Sequence, residues 1–168
     1  MNNSYNQIAH QFLNKDKSSQ FNFFMQEIDL EDSKYLTKEF ISAFRSLAES
    51  HPAIFILFGD ANFKKLVFFY VQYFLLSEEN AAKYGKQFGG FIQALPTLAN
   101  MNYLKWIAKL DWFWTHQDQQ YILLPKGTLE SWGSVYKDSE EINILIDENF
   151  IEKLTIQRSG NEVSIVKI

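Results

Sequence analysis

Few residues of this chain have the means to do chemistry, and the densest group of them is the stretch KLDWFWTH, from Lys109 to His116. It sets one carboxylate, Asp111, and one imidazole, His116, among large aromatics. In contact, the two would make a general acid and base. On a helix they stand about 140° apart around the axis, too far to share a hydrogen bond. Lys105, Lys109 and His116 gather on one side, whereas Asp111 falls on the apolar side between Leu104, Ile107 and Trp114. An unpartnered carboxylate is costly there. Asp111 is therefore expected to be a structural acid that accepts from Arg45, a tyrosine hydroxyl or the amide end of a neighbouring helix.

Other chemistries find less. The three histidines, His10, His51 and His116, are scattered, with no second ligand at metal-binding spacing. Cysteine is absent from the sequence, which removes thiolate ligands, thiol nucleophiles and disulfides together. FGGF lacks the spacing and the lysine of a phosphate-cradling loop, and no G-x-S-x-G stands anywhere in the chain. The acidic runs EDSK and DSEE read as solvated surface. No catalytic residue, metal or cofactor is expected, and the chain does not read as an enzyme.

The elements that must carry these residues are rich in large side chains. Of 168 residues, 46% are hydrophobic, with 16 Phe, 8 Tyr and 4 Trp, far from the aromatic-poor composition of a disordered chain. The net charge is −4, and the two signs nearly cancel before Gln120. No block concentrates positive charge, which argues against nucleic acid as a partner while leaving room for a local basic patch. The N-terminus MNNSYNQIAHQF has neither the basic nor the apolar region of a secretory signal. The longest apolar run, LVFFYVQYFLL, is shorter than the ~20 residues needed to span a membrane and predicts a core helix. A cytoplasmic protein is the expectation.

Helical periodicity covers the first two thirds. Phe40, Ile41, Phe44, Leu47 and Ala48 form one stripe opened by Thr37 as N-cap; Phe63, Leu66, Val67, Tyr70 and Phe74 form another, apolar nearly all round. Between them Pro52 suits a first turn, and a short helix is expected to end at Gly59, with Asp60 or Asn62 capping the next. NAAKYGKQFGGFIQAL predicts a helix weakened by its glycines, and the helix holding Asp111 follows Pro96. After Gln120 the period changes to two. QYILLP, INILID and the halves of EKLTIQRSGNEVSIVKI predict strands, with a hairpin at Gly160 and Asn161 that sets Ile156 opposite Ile165. The fold class expected is α+β: an all-α helical bundle of five or six helices over residues 1–119, then a small antiparallel sheet of three or four strands over 120–168, packed on the helices.

Three segments, HPAIFILFGDANFKKLVFFYVQYF, YGKQFGGFIQAL and LANMNYLKWIAKLDWFWTH, together resemble in order and spacing a bacterial family labelled as DNA-binding domain proteins. These are accessory proteins found beside multinuclear-iron enzymes that modify ribosomal peptides, as in methanobactin and bufferin biosynthesis. The positions that carry the resemblance are His51 with Pro52, Phe58 with Gly59, Phe63, Tyr84 with Gly85, Phe88, Phe91, and Leu110, Asp111 and Trp112, within residues 35–116. Two departures matter. The family's Tyr-Arg is here Tyr35 and Leu36, which removes a basic contact, and its usual glutamate is Asp111, which shortens the reach to any shared partner.

The resemblance implies a non-catalytic accessory protein that binds a partner enzyme and helps present its precursor peptide. Tyr35, Pro52, Gly59, Phe63, Tyr84, Gly85, Phe88, Asp111 and Trp112 are then its structural or partner-binding residues. The family's label implies a DNA-binding transcriptional regulator instead. The acid balance favours the first, and an exposed sheet edge near the C-terminus would accept an extended peptide by strand addition. A third expectation is a structural oligomer, a homodimer whose aromatics cover a shared face.

Overall fold

The computed structural model describes residues 37–77, 79–137, 142–160 and 162–168. Tyr35, His10 and the acidic runs at 31–34 and 138–141 lie outside them. Thr37 opens the first described helix by accepting from the Phe40 amide at 3.2 Å. That helix, α1 (Lys38–Ser50), buries Phe40, Ala43 and Leu47. Pro52 begins α2 (Pro52–Tyr73), where its missing N–H leaves no bond unmade. Gly59, at φ 68° and ψ 164°, kinks α2 into a short and a long limb at the residue where the short helix was expected to end. Neither Asp60 nor Asn62 behaves as the expected cap: Asp60 pairs with Lys64 one turn on at 2.6 Å, and the Asn62 side chain donates to the Phe58 carbonyl at 3.1 Å.

The helix expected from Asn80 to Leu95 is corrected. A 3-10 turn at Ala81–Lys83 is followed by Gly85 at φ 97°, and only Phe88–Ala94 is helical, as α3. The left-handed glycine ends one turn and redirects the chain. Next comes α4 (Tyr103–His116), which carries Asp111.

The C-terminal third has the order β1 (Tyr121–Lys126), α5 (Thr128–Val135), β2 (Asp147–Ser159), β3 (Glu162–Lys167). The strands form one antiparallel sheet, β1-β2-β3, with Ile156 opposite Ile165 and Ser159 opposite Glu162 across the expected hairpin. Two expectations fail. Residues 127–137 hold a helix, α5, inside the region assigned to the sheet. The alternating Ile142, Ile144 and Ile146 do not form a ladder strand, because side chains of α5 occupy their neighbours' backbone: the Leu145 amide donates to Ser131 Oγ at 2.8 Å, and Ser134 Oγ donates to the Asn143 carbonyl at 3.2 Å. The three isoleucines instead pack, half-buried, against the helical core. The whole is mixed, with five α-helices and a three-stranded antiparallel sheet among the described residues.

Two apolar clusters hold these pieces together. The larger gathers α1 to α4 with Val135 of α5, and Phe63 lies at its centre against Phe44, Phe55 and Phe88. The smaller joins Leu110 and Phe113 of α4 to Leu124 of β1 and Leu154 of β2, so one helix serves both. Among the described residues no helix is long and apolar enough to cross a membrane.

Candidate functional site

Asp111 is fully buried where α2, α4 and α5 meet. Its Oδ1 accepts from the Ala53 amide at 3.3 Å, Trp132 Nε1 at 2.7 Å and the Tyr136 hydroxyl at 3.4 Å; its Oδ2 accepts from the Ile54 amide at 3.1 Å. Ala53 and Ile54 lie in the first turn of α2, whose N-cap residue, His51, supplies no side-chain bond of its own. Asp111 thus caps that helix from a different one. Trp132 on α5 and Tyr136 at its C-cap are four residues apart, so both polar tips leave the same side. Burial pushes the Asp111 carboxyl up to about 7, against the four donors that pull it down. A hydroxyl and the amide end of a helix are among its partners, as expected; Arg45 is not, and Trp132 was not foreseen.

His51 lies beside this node. It is buried, with its Nδ1 2.8 Å from Ser50 Oγ and its ring 5.0 Å from Phe88 and 6.0 Å from Trp112. Burial holds its imidazole down to about 3, so it is neutral in the fold. Gly85 closes over it at φ 97°: a Cβ there would stand 3.1 Å from His51 Cε1 and 3.0 Å from Leu47 Cδ2. Trp112 stacks on His116 with centroids 3.5 Å apart and donates from Nε1 to Asp118 at 3.2 Å.

Of the residues singled out in the sequence, Pro52, Gly85, Phe88, Asp111 and Trp112 converge around His51. Tyr84 anchors a loop by donating its hydroxyl to the Phe74 carbonyl at 2.9 Å, Phe63 fills the core, and Gly59 stands apart at the kink. Trp132 and Tyr136 were missed; the signal for them was two large aromatics with polar tips at helical spacing in a segment assigned no element.

Chemically this node is closed. Every partner of Asp111 donates to it, and the principal cavities are lined by other residues. Among the described residues no group of three His, Cys, Asp or Glu could hold a metal ion.

Open valences lie at the surface instead. β3 is an edge strand. The hairpin makes Ser159 and Glu162 a bonded pair, and the Ile168 amide continues that alternation by donating to the Lys153 carbonyl at 3.0 Å. The amides of Val163, Ile165 and Lys167 therefore point away from β2. The outward sheet face carries Leu123, Ile151 and Ile168, each more than half exposed at 56%, 60% and 65%. No family model matches the chain, and no curated protein or solved structure matches it.

Proposed function

We propose that the chain is a non-catalytic accessory protein in ribosomal natural-product biosynthesis, binding a peptide-modifying iron enzyme and the precursor peptide on which it acts. In this reading the helices form a bundle that docks the enzyme, and the sheet receives the peptide. The observation that carries it is the edge of β3, whose outward amides meet no partner among the described residues and whose sheet exposes Leu123, Ile151 and Ile168 on its outward face, an arrangement that suits an extended chain added as a fourth strand. The closed Asp111 node supports the non-catalytic part, since its polar groups are spent on one another.

The test uses the full chain with a multinuclear-iron enzyme and a short precursor peptide sought among the products of neighbouring genes. Val163→Pro removes one outward amide from the edge without touching the β2 ladder. It should abolish peptide binding and leave enzyme binding and thermal stability in place. Peptide bound equally well by wild type and variant would refute strand addition at this edge; failure of the enzyme to co-purify with the chain would refute the accessory role. Retained binding to duplex DNA at low salt, falling steeply as salt is raised, would instead restore the regulator.

A further inference from the structure

On the side of α4 away from Asp111, three lysines and two glutamines converge. Lys86, Lys105, Lys109, Gln87 and Gln93 line a concavity of about 290 Å3 between α3 and α4. We propose that this concavity binds a compact phosphate-bearing anion, a site independent of the peptide edge on β3.

Four observations carry it. First, the cations crowd one another: the Lys105 and Lys109 ammonium groups lie 4.2 and 4.6 Å from the centroid of the same ring, Trp106. Burial and then the charge of Lys105 hold Lys109 below the ordinary lysine range. Second, among the described residues neither Lys105 nor Lys109 has an ion-pair partner, although the chain as a whole is acidic at −4. Of the acids beside this concavity, Asp118 pairs with Lys86 at 2.8 Å and Glu148 accepts from the Trp106 indole N–H at 2.8 Å; neither forms an ion pair with Lys105 or Lys109. Lys105 and Lys109, two like charges left without an ion pair by the described residues, are a standing cost that an anion would remove.

Third, two glycines of α3 shape the space. A Cβ on Gly89 would stand 3.0 Å from the Lys105 carbonyl, so Gly89 lets α3 approach α4 closely; Gly90 has nothing within 4 Å of its missing Cβ, so the mouth stays open. Fourth, the donors suit the anion. The arginine fork, which grips carboxylate and phosphate alike, is absent from this lining, since both arginines in the described residues, Arg45 and Arg158, lie outside it. Lysine ammonium groups are point charges suited to the tetrahedral oxygens of phosphate, and glutamine amides add neutral donors. The surroundings argue for a small ligand over a nucleic-acid backbone: the carboxylates of Asp118, beside Lys86, and Glu148, beside Trp106, interrupt the positive surface along which a long polyanion would have to run.

The experiment titrates the full-length chain with pyrophosphate at constant ionic strength, reading tryptophan fluorescence and the thermal midpoint. Saturable binding with a raised midpoint is expected. Lys105→Ala/Lys109→Ala should weaken it at least about ten-fold. Gly90→Glu, which sets a carboxylate in the mouth while improving helix propensity, should weaken it comparably without lowering the midpoint of the free protein. Gly90→Ala should bind as wild type does. The site is refuted if pyrophosphate gives no saturable change, if the double variant or Gly90→Glu binds equally well, or if sulfate at matched ionic strength reproduces the whole effect. It is refuted in favour of nucleic acid if a DNA duplex displaces pyrophosphate through the same lysines at a lower phosphate concentration.

Discussion

Asp111 and Lys109 stand two residues apart on α4 and face opposite environments. On one side a buried carboxyl group meets four donors drawn from two other helices; on the other, two exposed or half-buried cations share a single indole and meet no acid among the described residues. A polar group whose partners all come from its own chain holds the chain together. One whose partners are missing has its energy still to gain from outside. By this contrast the residue that looked most catalytic in the sequence is tied into the scaffold, and the lysines gathered on the other side of its helix are the candidates for recognition.

The contrast breaks most readily at Asp111. Asp111→Ala leaves two backbone amides, an indole N–H and a phenol buried without an acceptor, and should cost at least about 3 kcal/mol in urea unfolding. A midpoint within experimental error of wild type would mean that water replaces the carboxylate and that the node is not what holds α2, α4 and α5 together. Gly127 tests the same node from its far end, because it positions α5 and hence Trp132 and Tyr136. It sits at φ 85°, and a Cβ there would lie 2.0 Å from the Leu145 carbonyl oxygen. Gly127→Ala should therefore cost more than about 2 kcal/mol, whereas at Gly160, which has φ +60° but open space, the same change should cost less.

How much of this was readable beforehand follows from the range of each interaction. Local signals held: Thr37 as a cap, Pro52 at a first turn, Gly59 at the kink and Ile156 opposite Ile165 each depend on a few neighbouring residues. Position on the helix also placed Asp111 on the buried side. What failed depended on distant partners. The alternation of Ile142, Ile144 and Ile146 is real, but Ser131 and Ser134 bind the intervening backbone, and no local pattern announces a serine nine or fourteen residues away. α5 was overlooked because it is short and follows directly on the strand segment QYILLP, in a region whose pattern had turned to a period of two. The donors of Asp111 come from up to 58 residues away, so its need for a partner could be stated while Trp132 could not be named.

Acidity sharpens the comparison by separating two buried groups with opposite demands. Asp111, raised to about 7, binds its proton more tightly in the fold, so its contribution to stability is full below its ordinary value near 4 and is lost as pH rises through 7. His51, lowered to about 3, contributes fully above its ordinary value near 6.5 and loses that contribution as pH falls toward 3. Between about pH 4 and 6.5 the two slopes oppose and nearly cancel. Asp111→Asn removes one of them. Its stability should then rise with pH across that window by up to about 1.4 kcal/mol per pH unit more than wild type, measured from urea midpoints at three pH values. Parallel profiles for the two proteins would show that the carboxyl titrates at its ordinary value.

The smallest effect is expected on the lysine side, and its smallness is the point. Lys105→Ala/Lys109→Ala gives up two contacts with the Trp106 face, worth about 0.5–1 kcal/mol each at exposed positions, and relieves the repulsion between the two ammonium groups. The balance should leave unfolding stability within about 1 kcal/mol of wild type, with an unchanged dependence on urea concentration. A loss above about 2 kcal/mol would place these lysines with Asp111 as parts of the scaffold, and the difference between the two sides of α4 would disappear. Near-wild-type stability leaves the fold indifferent to their removal, as it must be if the charges are kept for a ligand.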